Sequence, residues 1–137
     1  MIMNLILYRS AKELPLLTGL GVANAKLALM ANTYVPDLEH SEWSDLSAHE
    51  INPSPGYEAG GKIIDGTIKQ SGNKYQWQPS DTVFSALQAT FAYGVLYSGL
   101  SLIGYIAFSE GNTITITGYD FVIKWAAPGI IELEVVE

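Results

Sequence analysis

A chain of 137 residues with a formal net charge of −7 and only seven basic residues, scattered along its length, is poorly suited to a phosphate backbone, which requires clustered Lys and Arg. It has no cysteine, which removes disulfides and thiolate metal sites, and 15 % of it is charged against about 25 % in ordinary soluble domains. The length fits a single domain, 1–137, that buries about two-thirds of its unfolded surface.

The opening MIMNLILYR is apolar, but it lacks a basic leading region and a small-residue cleavage site, so no targeting segment is expected. In RSAKELPLL (9–17), Ser10 is a capping residue and Pro15 limits the stretch to a short N-terminal helix of a turn or two. Residues 1–20 are a candidate docking or extension segment. AKLALMAN (25–32) alternates as a strand does. Residues 33–57 then carry Asp37, Glu39, His40, Glu42, Asp45, His49 and Glu50 with Pro36, Pro53 and Pro55, and read as a long ordered loop with a helical turn inside SEWSDLSAHE.

GYEAGGK (56–62) matches the glycines and lysine of a phosphate-binding loop, yet Ile63 stands where a metal-ligating hydroxyl belongs and Glu58 opposes an anion. NPSP precedes it in place of a buried strand, and KIIDGTIK reads as a strand where a helix N-terminus is needed. No nucleotide or other cofactor is expected there. Gly56, Gly60 and Gly61 are expected to shape a structural loop, with Tyr57 covering the core beside the strand that starts at Lys62.

From Gly60 onward GKIIDGTIKQ, NKYQWQ, ATFAYGVLY, SLIGYIAF, NTITIT, YDFVIKWA and GIIELEVV follow one another between glycine-rich breaks. Strands at about 8–12-residue spacing without long helices predict an all-β fold, an antiparallel β-sandwich. ATFAYGVLYSGLSLIGYIAF (89–108) is uncharged and as long as a membrane helix, but Asp81 and Glu110 flank the uncharged stretch and YSGLS marks a turn, so a buried hairpin is expected and no membrane span. In NTITITGYDFVIKW the apolar parity moves from Ile114 and Ile116 to Tyr119, Phe121, Ile123 and Trp125, which predicts a bulge or break at Gly118. LIGYIAF is apolar at both parities, so both of its faces require a cover, from a second sheet or another subunit. Leu102, Ile103, Tyr105, Ile106 and Phe108 are therefore candidate interface residues.

His40 and His49 among carboxylates match no recognised metal-ligand spacing, and neither a nucleophile elbow nor a paired acid and base is legible. No metal site and no catalytic residues are expected.

Residues 25–66 carry Lys26 to Met30, Tyr34 to Asp37, His40, Trp43 to Asp45, His49 with Glu50, and Gly56 to Gly61 in an order that resembles small virion proteins of tailed bacteriophages. FAYGVLY (91–97) and LIGYIAF (102–108) continue the likeness more weakly. The resemblance implies a non-enzymatic capsid decoration, or cement, protein with a jelly-roll-like sandwich on the outer capsid surface. Its implied partner is the major capsid protein of the same phage, with neighbouring capsid subunits bridged and a homo-oligomer, a trimer by preference, as the working form. Other readings stay open: a tail or head-fibre component, a small carbohydrate-binding sandwich with Trp43, Trp77 or Tyr57 as stacking platforms, and a hydrolase using the acidic loop.

Overall fold

The computed structural model describes residues 2–3, 6–7, 25–64, 66–71, 74–99, 101–125 and 131–134, with side chains in 25–64, 80–99 and 102–125. In chain order the described strands are β1 (Ile2–Met3), β2 (Ile6–Leu7), β3 (Lys26–Met30), β4 (Lys62–Ile63), β5 (Gly66–Ser71), β6 (Lys74–Pro79), β7 (Thr82–Phe91), β8 (Tyr93–Ser98), β9 (Ser101–Ala107), β10 (Ile114–Trp125) and β11 (Ile131–Glu134). The fold is an all-β sandwich. One sheet has the order β2-β9-β8-β3-β4, another β1-β10-β7, and β11-β6-β5 form a third. All described pairings are antiparallel except that of β1 with β10.

The expected helix over 9–17 lies outside the described residues. Within the candidate docking or extension segment 1–20, Ile2–Met3 and Ile6–Leu7 are strands: Ile2 pairs with Lys124 and Ile6 with Tyr105. The N-terminal chain thereby supplies the end strand of each of the first two sheets, which covers backbone groups that an open edge would leave free.

ATFAYGVLY is not one strand. Its first three residues end β7 and the rest forms β8, which lies in another sheet, with Ala92 as the crossing point. Ala92 is fully buried; its N–H donates to the Met30 carbonyl and its carbonyl accepts from Phe108 N–H, so the crossing leaves neither group unpaired. The chain returns through the 3-10 turn Phe108–Gly111, where Ser109 and Glu110 take left-handed φ values of 46° and 58°. Hairpin β8–β9 thus sits in one sheet, nested between the strands of the β7–β10 pair in the other. Its ends, Ser98 and Ser101, pair across the turn that YSGLS foretells.

All four phenylalanines of the chain meet between these sheets. Phe91 lies 5.4 Å from Phe108 and 5.0 Å from Phe121, and Phe108 stands edge-on to Phe121 at 5.4 Å. Edge-to-face contacts of this kind add roughly 0.5–1.5 kcal/mol to what area burial supplies. Gly94 of β8 makes room for this cluster, since a Cβ there would come within 3.2 Å of the Phe108 ring.

β10 runs through the predicted bulge at Gly118, whose φ is 88°, and the register shifts on either side of Tyr119. Phe121 and Ile123 are buried as expected, but Tyr119 is 72 % exposed. The parity resets only at Phe121, because Tyr119 itself belongs to the irregular stretch. Opposite it Ala86 has a φ of 48°, and its N–H donates to Asp120 Oδ1 at 2.8 Å.

The central strands of the five-stranded sheet, β3, β8 and β9, are buried on both faces. Leu27, Leu29, Leu96, Ile103 and Ile106 join the phenylalanine cluster, while Ala28, Met30, Val95, Tyr97 and Leu102 face the opposite way. That second face is covered by the chain's own loop: Tyr34 and Leu46 are 2 % and 1 % exposed upon it, and Trp43 packs against the same cluster. Tyr34 meets Tyr93 edge-on at 5.3 Å and Tyr105 at 6.4 Å. The residues read as a subunit interface are therefore core: Leu102, Ile103 and Phe108 are fully buried, Ile106 is 1 % exposed, and the half-buried Tyr105 packs on the loop-covered face. The cover that both apolar parities demand is intramolecular on each side.

Because Leu46 reaches the core from a loop, Leu46→Ala is expected to cost about 2–5 kcal/mol in urea unfolding, the range for a buried large-to-small change. A merely solvated loop would tolerate the change within about 0.5 kcal/mol.

Candidate functional site

The edge of β3 opposite β8 is served by two separate pieces of chain. Lys26 and Leu27 pair with β4, and Met30 forms an antiparallel bridge with Glu50, flanked by Ala31 N–H to the His49 carbonyl (2.8 Å) and Ile51 N–H to the Leu29 carbonyl (3.1 Å). Between the two pieces the chain leaves the edge as the loop 51–61. Leu29 is fully buried, and its N–H falls in the resulting gap, where the Tyr57 hydroxyl accepts it at 3.1 Å.

Tyr57 is 3 % exposed and held by Glu50. Its hydroxyl donates to Glu50 Oε2 at 2.5 Å, and the same oxygen accepts Gly60 N–H at 2.7 Å. Burial first, and then the hydrogen bond and negative charge of Glu50, push the Tyr57 phenol well above its ordinary range, against the opposing pull of Leu29 N–H. Tyr97 donates its hydroxyl to the Gly60 carbonyl, and its ring stacks on Trp43 with centroids 4.3 Å apart and planes 8° from parallel. Burial, and then the charge of Glu50, raise its phenol too.

The loop itself is two consecutive turns. Ser54 and Tyr57 exchange backbone bonds around Pro55-Gly56, and Gly61 N–H donates to the Glu58 carbonyl around Ala59-Gly60. Gly56 has a φ of 82°, and a Cβ would stand 2.6 Å from the Ser85 carbonyl oxygen. Gly61, at 88°, admits a side chain even less, with the Leu27 carbonyl oxygen 2.0 Å from the Cβ position. These two glycines serve close approach to backbone as much as turn geometry. Lys62, the residue that invites a phosphate-loop reading, lies in β4 and donates its ammonium to the Val83 carbonyl.

Several other polar residues of 33–57 are also in local use. Asp45 Oδ2 accepts from Ser41 N–H at 3.2 Å and Glu42 N–H at 3.1 Å, which holds the turn Trp43–Asp45 and, with Glu42 the larger cause, lowers the Asp45 carboxyl below its usual range. His49 Nδ1 lies 3.0 Å from Thr33 Oγ1, and Asp37 Oδ1 accepts Glu39 N–H. Among the described residues no three His, Cys, Asp or Glu side chains group as a metal site, and no helix is long and apolar enough to cross a membrane. Of the aromatic platforms, Tyr57 is buried, Trp43 has one face on Tyr97, and the Trp77 side chain lies outside the described residues. A groove of about 750 Å³ opens beside the loop, lined by Lys26, Ser54, Tyr57, Glu58, Lys62, Ile63 and residues 83–85 among others.

The sequence singles out the glycines and Tyr57 but gives Glu50 no special place among the acids of 33–57. Its signal is its position, one residue before an apolar residue and ten before Gly60, which acquires meaning only once β3 supplies a backbone to be paired.

Tyr57→Phe leaves Leu29 N–H buried without its acceptor, and a loss of about 1–3 kcal/mol is expected in urea unfolding at neutral pH. The unfolded chain releases its tyrosine protons near the ordinary value of about 10, whereas folded Tyr57 keeps its proton to higher pH, so stability is full below that value and falls as pH rises beyond it. Between about pH 9 and pH 11 the unfolding midpoint should therefore drop more steeply for the wild type than for Tyr57→Phe.

Comparison of the chain with models of protein families, with characterised proteins and with solved structures finds no match.

Proposed function

We propose that the chain is a non-enzymatic virion structural protein of a tailed bacteriophage, a capsid decoration protein that bridges neighbouring major capsid subunits on the outside of the head. The observation that carries this reading is that the residues of the resemblance fold as one piece. β3, the cover Tyr34–Asp45, the Glu50 pivot and the glycine loop 56–61 pack on and bond to one another. Their polar groups are used in holding backbone: Glu50 on Gly60 and Asp45 on Ser41 and Glu42. A protein built to stay rigid while bound at many equivalent positions works by multivalent burial and needs no reacting centre.

The chain's own loop covers the face of LIGYIAF that another subunit could have covered, so a homo-oligomer, a trimer by preference, rests on the resemblance alone. Contact with a capsid falls to side chains that remain outside the core, among them Val35, which is 74 % exposed, Leu38 and Tyr119. A tail or head-fibre component would share the same sequence features and differ in where it docks.

The purified protein, incubated with purified heads that lack it, is expected to sediment with them at a saturating stoichiometry. Electron cryomicroscopy should then show added density at equivalent positions on the shell. Absence from the pelleted heads, or density confined to the tail, would overturn the capsid assignment.

A further inference from the structure

Two sheet edges meet at the groove beside the glycine loop. β4 ends the five-stranded sheet and β7 ends the sheet β1-β10-β7, so each has a side with no strand partner among the described residues. The loop closes part of the β7 edge, since Gln88 N–H donates to the Pro55 carbonyl at 2.9 Å and Gly56 lies against the Ser85 carbonyl. Apart from that carbonyl, Val83–Ser85 faces no strand on this side among the described residues. There the only cap among the described residues is a side chain, the Lys62 ammonium on the Val83 carbonyl. A lysine laid on an open strand edge is a common guard against pairing with other chains, and unlike a strand it can be displaced by rotating its own bonds.

The surroundings select the chemistry of what displaces it. The chain has a net charge of −7, yet of its lysines with described side chains, Lys26, Lys62 and Lys124, two line this groove against the single carboxylate of Glu58. Ile63 is 55 % exposed on the β4 side and offers an apolar contact. Ser54 Oγ, on the groove wall, is buried without a hydrogen-bond partner among the described residues.

We propose that this groove is a strand-addition site for an extended, acid-bearing peptide segment of a partner protein. The segment lies along Val83–Ser85, its backbone N–H replaces Lys62 on the Val83 carbonyl, and the released ammonium, with Lys26, pairs with a carboxylate of the segment. Main-chain bonds supply the affinity, and the two lysines set the preference for acidic side chains. The site stands independently of a virion role, because it rests on the edge geometry and the local charge.

The test uses the whole protein and synthetic ten-residue peptides that alternate valine with threonine, two of the threonines being replaced by glutamate. Binding is read by fluorescence anisotropy and by backbone amide shifts. The glutamate peptide is expected to bind and to move the amides of Val83 and Ser85. The same peptide with lysine for glutamate should bind at least fivefold more weakly, and Lys26→Glu with Lys62→Glu should reverse that order. Two further versions, N-methylated at the odd or at the even residues, separate strand addition from general attraction: one keeps the donors that face β7 and binds, the other loses them and does not. These peptide versions need no altered protein, so they decide the matter even if the double variant fails to fold. No binding of the glutamate peptide, equal binding of both methylated forms, or amide shifts away from β7 and β4 would each overturn the proposal.

Discussion

The Tyr57 hydroxyl, set between Leu29 N–H and the Glu50 carboxylate, is the contact on which this architecture turns. β3 has both faces in hydrophobic clusters, so none of its backbone groups has ready access to water, and an unpaired one carries the full cost of desolvation. A continuous edge strand would satisfy them with ordinary ladder bonds. Here the edge is made by the Glu50 region and β4, and the chain between leaves to form a loop. A side-chain hydroxyl bonds where a ladder residue would have, and a carboxylate fixes that hydroxyl while drawing Gly60 in beside it. The loop is thus tied to the sheet at the point where it interrupts it.

From that tie follows the cover of the second face. The stretch 31–50 starts and finishes beside β3, with Ala31 N–H on the His49 carbonyl closing its base. A loop closed at its base loses less freedom when its middle packs down, which lets a polar segment with few apolar residues place Tyr34, Trp43 and Leu46 over the sheet. The Trp43–Tyr97 stack joins the two regions again, since Tyr97 also reaches Gly60. Cover, edge and glycine loop form one connected body.

Much of this was legible from local chemistry. Glycines that need positive φ, the two-residue turn of the β8–β9 hairpin and the parity change at Gly118 each follow from nearest-neighbour backbone rules, and each is found where the residues place it. What was not legible depends on contacts between distant segments. ATFAYGVLY alternates smoothly through Ala92, and nothing local reveals that the chain changes sheets there. LIGYIAF announces that both its faces need burial without naming the cover. A loop rich in carboxylates is an unobvious candidate for that role, because its apolar residues are spaced singly. Glu50 is the clearest case: its carboxylate acts on the Tyr57 hydroxyl and on Gly60 N–H, and the backbone donors at the two ends of that chain, Leu29 N–H and Gly60 N–H, are not signalled by any side chain.

Because β8 and β9 lie inside the β7–β10 pair, the chain has a cheap order in which to come together. Pairing Phe91 with Ile114 directly means closing all of 92–113. Once the β8–β9 hairpin has zipped from its tight turn, the free chain between those partners shrinks to Ala92 and residues 108–113. Each halving of a loop lowers the entropy cost of closing it by about 0.6 kcal/mol. The left-handed residues Ser109 and Glu110 then fall in this last short connection, so the strain of the return crossing is met only when the strands on either side are ready to hold it.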